Sequence, residues 1–351
     1  MNINKEKINF FLPGPSYVKE EILREMMTGQ IGHRSEGFKK MYLEILALLK
    51  NYFLLTNEAL IFTTSSTCMM EVCFLNTKAE NVLAIVNGAF SERWAQISKI
   101  YSNNVDCIEY NWGETIKAKD LKHKLASKKY SHILITHSET STGALNPLKE
   151  LIETINENSA ALICVDAVSS LGGCEVPLND IDFCFAGVQK ALALPPGITI
   201  CTVSEKFLKK ANEYNPKTYY FDILQALEKA KDGYTNTTPS IPHFYAFYKQ
   251  LNFLLEEGIE NRLNRHKNLL LFTKNWAREK ELEYFPEIAS PTISCIKYKD
   301  SLALVNKLKE KNITIGSGYG KLKESTFRIG HMGEIQISDL ESLLKNINNL
   351  L

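Results

Sequence analysis

The middle of the chain alternates between short apolar runs and longer stretches with helical periodicity. Most of the apolar runs lack polar alternation, which is typical of strands that are covered on both faces. Seven runs have the length of a strand, at residues 59–62, 81–86, 105–110, 132–136, 161–165, 182–186 and 198–203. Helical patterns lie between several of them, at residues 67–75, 92–101, 119–127 and 147–156. This alternation predicts an α/β fold with a mostly parallel seven-stranded sheet. Too few residues separate the last two strands for a helical crossover, so we expect one antiparallel strand.

The two ends of the chain do not follow this alternation of strands and helices. Residues 10–16 read FFLPGPS, where two prolines around Gly14 exclude a helix. This segment is either a rigid connector or a backbone segment that lines a pocket. Helical patterns follow at residues 18–28 and 36–53. Beyond them the sequence predicts a helix over about 243–278, then strands at 290–296 and 313–315 around a helix at 301–310. We therefore expect an N-terminal segment (1–16), a large domain (17–255) and a small C-terminal α+β domain (256–351).

Composition narrows the class of protein. The 351 residues carry a net charge of +1 with scattered lysines, which indicates neither nucleic acid nor an anionic membrane as partner. No apolar run approaches the roughly 20 residues of a membrane span, and the N-terminus has no apolar signal core. We therefore expect a cytoplasmic protein. The eight cysteines form no CxxC pair, which favours buried free thiols over disulfides or a metal site.

Two charged residues follow the ends of neighbouring predicted strands. Asp166 comes directly after the fifth strand, and Lys190 follows the sixth. Ligands bind at the carboxyl ends of strands in such sheets. An aspartate there can keep a ring nitrogen protonated, and a lysine can form a Schiff base with an aldehyde, which is the chemistry of pyridoxal 5′-phosphate. Each residue alone has a structural alternative, a turn or helix cap for Asp166 and an exposed side chain for Lys190.

Other polar segments follow the remaining strands. The hydroxyl-rich turn at residues 63–68 precedes a predicted helix, so it offers either a phosphate site or ordinary helix caps. Phe90 follows a glycine turn and either stacks on a planar ligand or caps the core. After the fourth strand, Thr140 and its neighbours offer hydroxyl groups, whereas His137 and Glu139 lack a third partner for a metal. Arg328 in a short apolar strand suits a carboxylate, or else lies exposed at a sheet edge.

Taken in order, these segments resemble a known family over essentially the whole chain. The motifs are PGPS, GHRS, TSSTCMME, NGAFSERW, THSETSTG, VDAVSSLGG, GVQKALALPPG, YTNTTP and RIGHMG. They are similar to those of class V aminotransferases, in the pyridoxal-phosphate-dependent fold type I superfamily. Within that family they resemble the branch of alanine–glyoxylate and serine–pyruvate aminotransferases.

The resemblance implies a role for each motif. Lys190 is the Schiff-base lysine and proton shuttle, Asp166 pairs with the pyridine nitrogen, and Phe90 stacks on the ring. Further cofactor contacts are implied for Ser65, Ser66, Thr67, Thr140 and Gln189. Tyr234 and Thr237 are implied to reach the phosphate of a neighbouring subunit, which means an obligate homodimer with shared sites. Arg328 is implied to bind the substrate α-carboxylate, and Gly14 to lie near the substrate as backbone.

The sequence departs from the family in two places. The phosphate turn usually reads Gly-Ser-Gly-Thr and here reads Thr64-Ser65-Ser66-Thr67, so it must use backbone angles that a Cβ allows. The stacking position is often Trp and here is Phe90, a smaller surface. Neither change removes the chemistry that the resemblance implies.

The expected reaction is ping-pong transamination between a small amino acid, of the alanine or serine class, and a small 2-oxo acid, of the glyoxylate or pyruvate class. If Arg34 enters the pocket, its second positive charge favours a dicarboxylate or a phosphonate- or phosphate-bearing substrate, such as 2-aminoethylphosphonate or phosphoserine. Two further alternatives are a cysteine desulfurase-like lyase and a non-catalytic protein that binds pyridoxal phosphate. Phe90 at the stacking position argues against the first, and an intact Lys190, Asp166 and Arg328 against the second.

Overall fold

A computed structural model describes residues 9–351, which form two main sheets and their helices. The strands are β1 (Phe10–Phe11), β2 (Glu58–Phe62), β3 (Val82–Val86), β4 (Val105–Glu109), β5 (His132–Thr136), β6 (Ser138–Glu139), β7 (Ala144–Leu145), β8 (Leu162–Asp166), β9 (Phe183–Gly187), β10 (Thr199–Val203), β11 (Ile293–Lys297), β12 (Thr314–Ser317) and β13 (Thr326–Gly330). All seven strands predicted for the large sheet are present, each within one residue of its expected bounds.

The helices connect these strands. They are α1 (Glu20–Glu25), α2 (Glu36–Phe53), α3 (Ser66–Asn76), α4 (Ala89–Tyr101), α5 (Ala118–Ser127), α6 (Leu148–Asn158), α7 (Glu205–Tyr214), α8 (Ile223–Lys231), α9 (Ile241–Glu257), α10 (Ile259–Glu279), α11 (Ser301–Glu310) and α12 (Ile337–Asn348). None of these helices combines the length and the apolar character that crossing a membrane requires, in the part of the chain that the structure describes.

The large sheet has the strand order β2-β10-β9-β8-β5-β3-β4. Only β10 runs antiparallel to its neighbours, β9 and β2, which confirms the one antiparallel strand expected from the short connection. Every residue of β5, β8, β9 and β10 is buried, as their unbroken apolar sequences predict for strands covered on both faces. The parallel register pairs Asp166, at the carboxyl end of β8, with Thr136 and Phe185.

The small sheet has the strand order β1-β12-β13-β11. The N-terminal strand β1 joins it in parallel, with Phe10 opposite Thr314 and Phe11 opposite Ile315. Phe11 thereby enters an apolar cluster with side chains from residues 269–347, separate from the larger cluster that fills the core around the seven-stranded sheet. The pairing of β1 with β12 fixes the position of the PGPS segment, because residues 13–16 follow β1 closely.

Two helical predictions differ most from the structure in their bounds. The single helix expected over 243–278 is two helices, α9 and α10, because Gly258 between them has φ 76°, a left-handed conformation that favours glycine. The helix expected over 18–28 is limited to Glu20–Glu25. In α2, the buried residues are Phe38, Tyr42, Ile45, Leu49 and Tyr52.

Candidate active site

A cavity of about 270 Å³ lies at the carboxyl ends of β8 and β9. Nine residues that the sequence singles out line it together: Gly14, Ser65, Ser66, Thr67, Phe90, Thr140, Asp166, Gln189 and Lys190. They come from six separate segments of the chain, which the sheet order brings to one edge. The sequence-based grouping of these nine residues is therefore matched by their positions, while the role of each in binding stays a prediction.

Lys190 lies three residues beyond the end of β9 and is almost fully buried, with 8% of its surface exposed. Its Nζ donates a hydrogen bond to the carbonyl oxygen of Pro13. Gly14 gives the lysine its space, because a Cβ built on Gly14 would lie 2.6 Å from Nζ. The PGPS segment is thus a pocket wall, the second of the two alternatives that its prolines left open.

The environment shifts the pKa values of the buried pair in opposite directions. Burial, and then the positive charge of Arg328, lowers the pKa of Lys190 to about 7. Burial raises the pKa of Asp166 to about 7, against the hydrogen bond that the Val168 N–H donates to Oδ1 at 2.9 Å. Near neutral pH a large fraction of Lys190 is therefore the neutral amine, the form that attacks an aldehyde.

The turn before α3 keeps ordinary backbone angles without its family glycines. Ser65, the residue before the helix, has φ −81° and ψ 149°, which any residue with a Cβ adopts. The side chain of Ser65 makes no capping hydrogen bond to the first N–H groups of α3, and Ser66 and Thr67 at this helix start line the cavity. The Ser66 hydroxyl lies 3.3 Å from that of Thr199, on the neighbouring strand β10. The turn retains the features of an anion site at a helix N-terminus.

Phe90 is held in place by a buried carboxylate. Glu139, which has no exposed surface, accepts hydrogen bonds from the N–H groups of Phe90 and Ser91 at the start of α4. It also accepts from the hydroxyl groups of Ser91, at 3.1 Å, and Ser141, at 2.6 Å. A carboxylate at a helix N-terminus is favoured by the free N–H groups and the helix dipole. Glu139 therefore orients Phe90, a role that its sequence pattern did not indicate.

Arg328 lies behind the cavity wall. It is 9% exposed on the central strand β13 of the small sheet. Nε donates to the Ser317 carbonyl and Nη1 to the Thr140 carbonyl, both at 2.9 Å. An arginine has five N–H donors, so these two bonds position the guanidinium and leave donors for a carboxylate. The alternative of an exposed edge arginine is wrong, because β13 pairs on both sides and the side chain is buried.

Besides Arg328, three further predicted site residues are absent from the lining of this cavity. Arg34 is exposed, with its Nε 3.4 Å from the His33 ring. Tyr234 is partly buried and its ring lies 5.9 Å from the ammonium group of Lys39. Thr237 contributes its carbonyl oxygen to the hydroxyl of Thr235 at 2.7 Å. Within one chain these residues do not meet the other nine, so their expected roles depend on a second subunit.

Two residues that sequence reasoning missed also belong to this region. Arg93 lines the cavity one helical turn after Phe90, and its Nη2 lies 3.4 Å from the Tyr319 hydroxyl. Tyr319 in turn packs against Phe90, with ring centroids 5.4 Å apart. The spacing of Phe90 and Arg93 on one helix face was the available signal for Arg93. Tyr319 gave none, because 226 residues separate it from Arg93.

The lining residues fit pyridoxal phosphate. A buried amine with a lowered pKa faces the cavity, as does Asp166, whose Oδ2 has no hydrogen-bond partner within residues 9–351. The hydroxyl-rich turn lies at a helix N-terminus, and the Phe90 ring forms another part of the wall. An amine, a carboxylate, an anion site and an aromatic ring are the groups that the cofactor's aldehyde, ring nitrogen, phosphate and ring face require.

Comparison with known proteins agrees with this chemistry. A model of the family described as aminotransferase class-V matches residues 21–340, and the chain belongs to that family. An uncharacterized aminotransferase of Methanocaldococcus jannaschii is 36% identical over 95% of this chain and 90% of its own length. The serine–glyoxylate aminotransferase of Methylorubrum extorquens is 29% identical over 93% of this chain and 87% of its own.

A solved structure extends the comparison to the fold. The alanine–glyoxylate aminotransferase from a Nostoc species superposes with a TM-score of 0.92 at 25% identity, covering 100% of this chain and 97% of that one. The fold is therefore the α/β fold of the pyridoxal-phosphate-dependent aminotransferases, and pyridoxal phosphate is the cofactor. The protein is a class-V aminotransferase.

Proposed function

We propose that this aminotransferase moves the amino group of a small amino acid, of the alanine or serine class, to a small 2-oxo acid, of the glyoxylate or pyruvate class. The observation that carries the proposal is the position of Arg328. Its guanidinium is buried, bonded to the carbonyl of the cavity-lining Thr140, and retains donors for one carboxylate. Both the amino acid and the 2-oxo acid present an α-carboxylate, so one arginine serves both half-reactions.

Each residue that lines the cavity has a separate role in the proposed reaction. Bound pyridoxal phosphate supplies the aldehyde that accepts the amino group and a ring that takes up electron density when Cα loses its proton. Lys190, a large fraction of which is the neutral amine near pH 7, would attach the cofactor and hold the Cα proton during its transfer. Asp166 keeps the ring nitrogen protonated by opposite charge. Phe90 would cover one ring face, Ser65, Ser66, Thr67 and Gln189 would hold the phosphate, and Thr140 would lie beside the ring.

The proposal includes a homodimer with shared sites. Tyr234, Thr237 and Arg34 lie outside the cavity of their own chain, and a second copy would bring them to it. We assign residues 17–255 to a large cofactor domain and 256–351 to a small domain, with residues 9–16 of the N-terminal segment reaching both. Pairing of β1 with β12, and of Lys190 with Pro13, supports the last point. Residues 1–8 of that segment lie outside the described residues.

The desulfurase alternative has less support. Such an enzyme needs a mobile, reactive cysteine near the substrate, and none of the residues lining the cavity is a cysteine. Burial raises the pKa of Cys174 to about 12 and that of Cys295 to about 11, which keeps these thiols protonated and unreactive. We therefore expect no sulfide release from cysteine.

The test is an absorption spectrum of the purified holoenzyme as amino acids are added one at a time. Alanine or serine is expected to convert the visible band of the lysine-bound cofactor to the pyridoxamine form, and glyoxylate or pyruvate to restore it. Lys190→Ala serves as the control, because it keeps the cavity but removes the attaching amine. Failure of every small amino acid to change the holoenzyme band would overturn the proposed donor class.

A further inference from the structure

Arg93 carries a positive charge to the cavity and forms no ion pair with a carboxylate within residues 9–351. It follows Phe90 by three residues on α4, and its guanidinium lies 4.9 Å from the Phe90 ring centroid. The side chain is half-buried and lines the cavity. Within residues 9–351, no carboxylate oxygen lies within 4.0 Å of it, whereas Arg262 and Arg265 each bind Glu257. A partly desolvated cation at a ligand cavity is stabilised by an anion, which the ligand can supply.

Tyr319 connects this arginine to the proposed α-carboxylate site. Its hydroxyl lies 3.4 Å from Arg93 Nη2, and its ring centroid lies 5.6 Å from Arg328 Cζ. The loop that carries Tyr319 is anchored by Arg328 itself, through the hydrogen bond to the Ser317 carbonyl. One tyrosine side chain therefore contacts both guanidinium groups, one at its hydroxyl end and one at its ring. The site offers two cationic positions with a hydroxyl donor beside one of them.

We propose that Arg93 and Tyr319 form a subsite for the side-chain carboxylate of a short dicarboxylic amino acid or 2-oxo acid, while Arg328 holds the α-carboxylate. The inference rests on the proposed function and adds a second substrate class to it. In a ping-pong reaction, a dicarboxylic donor and a small 2-oxo acceptor occupy the same site in turn. Alanine or serine offers no side-chain anion to Arg93. Arg93 would therefore discriminate between dicarboxylic substrates and small substrates with a single carboxylate. Within one chain, Arg93 lines the cavity and Arg34 does not.

The experiment compares substrates rather than total activity. Holoenzyme is assayed with aspartate, glutamate, alanine and serine as donors to glyoxylate, as wild type, Arg93→Gln and Tyr319→Phe. The Arg93→Gln change is expected to lower kcat/KM for aspartate or glutamate by about 30-fold, the value of a hydrogen bond to a charged group. The same change is expected to alter kcat/KM for alanine by less than about 3-fold. Tyr319→Phe should give a smaller loss with the same selectivity. Arg278→Gln, an exposed arginine on α10, is the matched control.

A binding measurement separates this inference from the proposed function. Calorimetric titration of holoenzyme with succinate and with propanoate needs no turnover. Arg93→Gln is expected to weaken the binding of succinate by about 30-fold and to leave the affinity for propanoate nearly unchanged. Equal weakening of both ligands, or equal loss of kcat/KM for alanine and aspartate, would make Arg93 a support for Phe90 and overturn the subsite. Turnover of alanine but not of any dicarboxylic donor by the wild type would also overturn it. Selective succinate binding in an enzyme without transaminase activity would support the subsite and refute the proposed function.

Discussion

Arg262 donates a hydrogen bond through Nη2 to the carbonyl oxygen of Ala191, the residue after Lys190, at 2.6 Å. Nε of the same guanidinium donates to the Gly172 carbonyl at 3.1 Å, in the loop that follows Asp166. The charge is balanced by Glu257, at 2.6 Å, and by Glu334, at 3.0 Å. One side chain with 1% exposure thus joins the two loops that carry the buried lysine and carboxylate.

Arg262→Gln is expected to destabilise the protein strongly. It removes one of the two cations beside Glu334, which keeps Lys19 at 2.7 Å. It also leaves the Gly172 and Ala191 carbonyls without their partner in a buried site, a change that costs about 1–3 kcal/mol of unfolding free energy for each carbonyl. Urea unfolding of the apo protein measures the change in unfolding free energy. Lys78→Gln is the control, because it breaks an exposed ion pair with Glu80, which solvent screens and which contributes little to stability. A loss as small as that of the control would show that Arg262 does not hold the loops.

Gly14→Ala is expected to prevent covalent attachment of the cofactor while leaving the fold intact. The new Cβ would lie 2.6 Å from Lys190 Nζ, at a residue whose φ of 109° disfavours any side chain. The lysine must therefore move out of its place in the cavity. The visible absorption band of the lysine-bound cofactor reports attachment, and circular dichroism reports the fold. Gly29→Ala is the matched control, since nothing lies within 4 Å of its Cβ. A normal band in Gly14→Ala would contradict the packing.

The rate at which apo protein captures pyridoxal phosphate is expected to rise with pH and to level off above about pH 7. Only the neutral amine of Lys190 reacts, and burial lowers its pKa to about 7, so protonation removes it below that pH. Asp166, whose pKa burial raises to about 7, gains its charge over the same range and reinforces the rise. Stopped-flow absorbance measures the rate. Free lysine, with a pKa of about 10.4, is the reference. A rate that still climbs steeply above pH 9 would disprove the lowered pKa.

The sequence predicted the large sheet well because its signal is local. Runs such as Ile133–Ile135 and Leu162–Val165 are apolar at every position, and burial on both faces requires that pattern wherever the strand lies in the sheet. Lys190 and Asp166 were found by the same reasoning, because strand ends place them at one edge. Gly258 was missed because apolar spacing continues on both sides of it, and only its positive φ ends the helix.

Long-range contacts account for what the sequence did not predict. Arg93 and Tyr319 meet across 226 residues, and Arg262 reaches Ala191 across 71. Each of these residues lies in a segment that has an ordinary helix or loop pattern. Glu139 was weighed as a metal ligand, and its actual partners, the N–H groups of α4, are visible only when helix and strand are packed. Partner choice for charged residues is a property of the packed fold.

Arg34→Ala is expected to weaken a doubly anionic substrate selectively. The side chain is exposed and lies outside the cavity of its own chain, so it can act only at the cavity of a second subunit. Loss of one charge-assisted contact predicts a fall of about 10-fold or more in kcat/KM for that substrate. Kinetics across alanine, aspartate and phosphoserine measure the selectivity. Unchanged kinetic parameters for all three would remove Arg34 from the pocket.

Arg328→Lys is expected to impair every substrate, in contrast to the selective changes at Arg34. Lysine keeps the positive charge but has no planar fork, so it cannot hold the Ser317 and Thr140 carbonyls and bind a carboxylate at two points as well. Losing one of the two charge-assisted bonds predicts a fall of about 10- to 100-fold in kcat/KM for amino donors and 2-oxo acceptors alike. Half-reaction kinetics with alanine and with glyoxylate test both directions, and retention of the cofactor band controls for the fold. If the loss fell on one half-reaction alone, Arg328 would not be the shared carboxylate site.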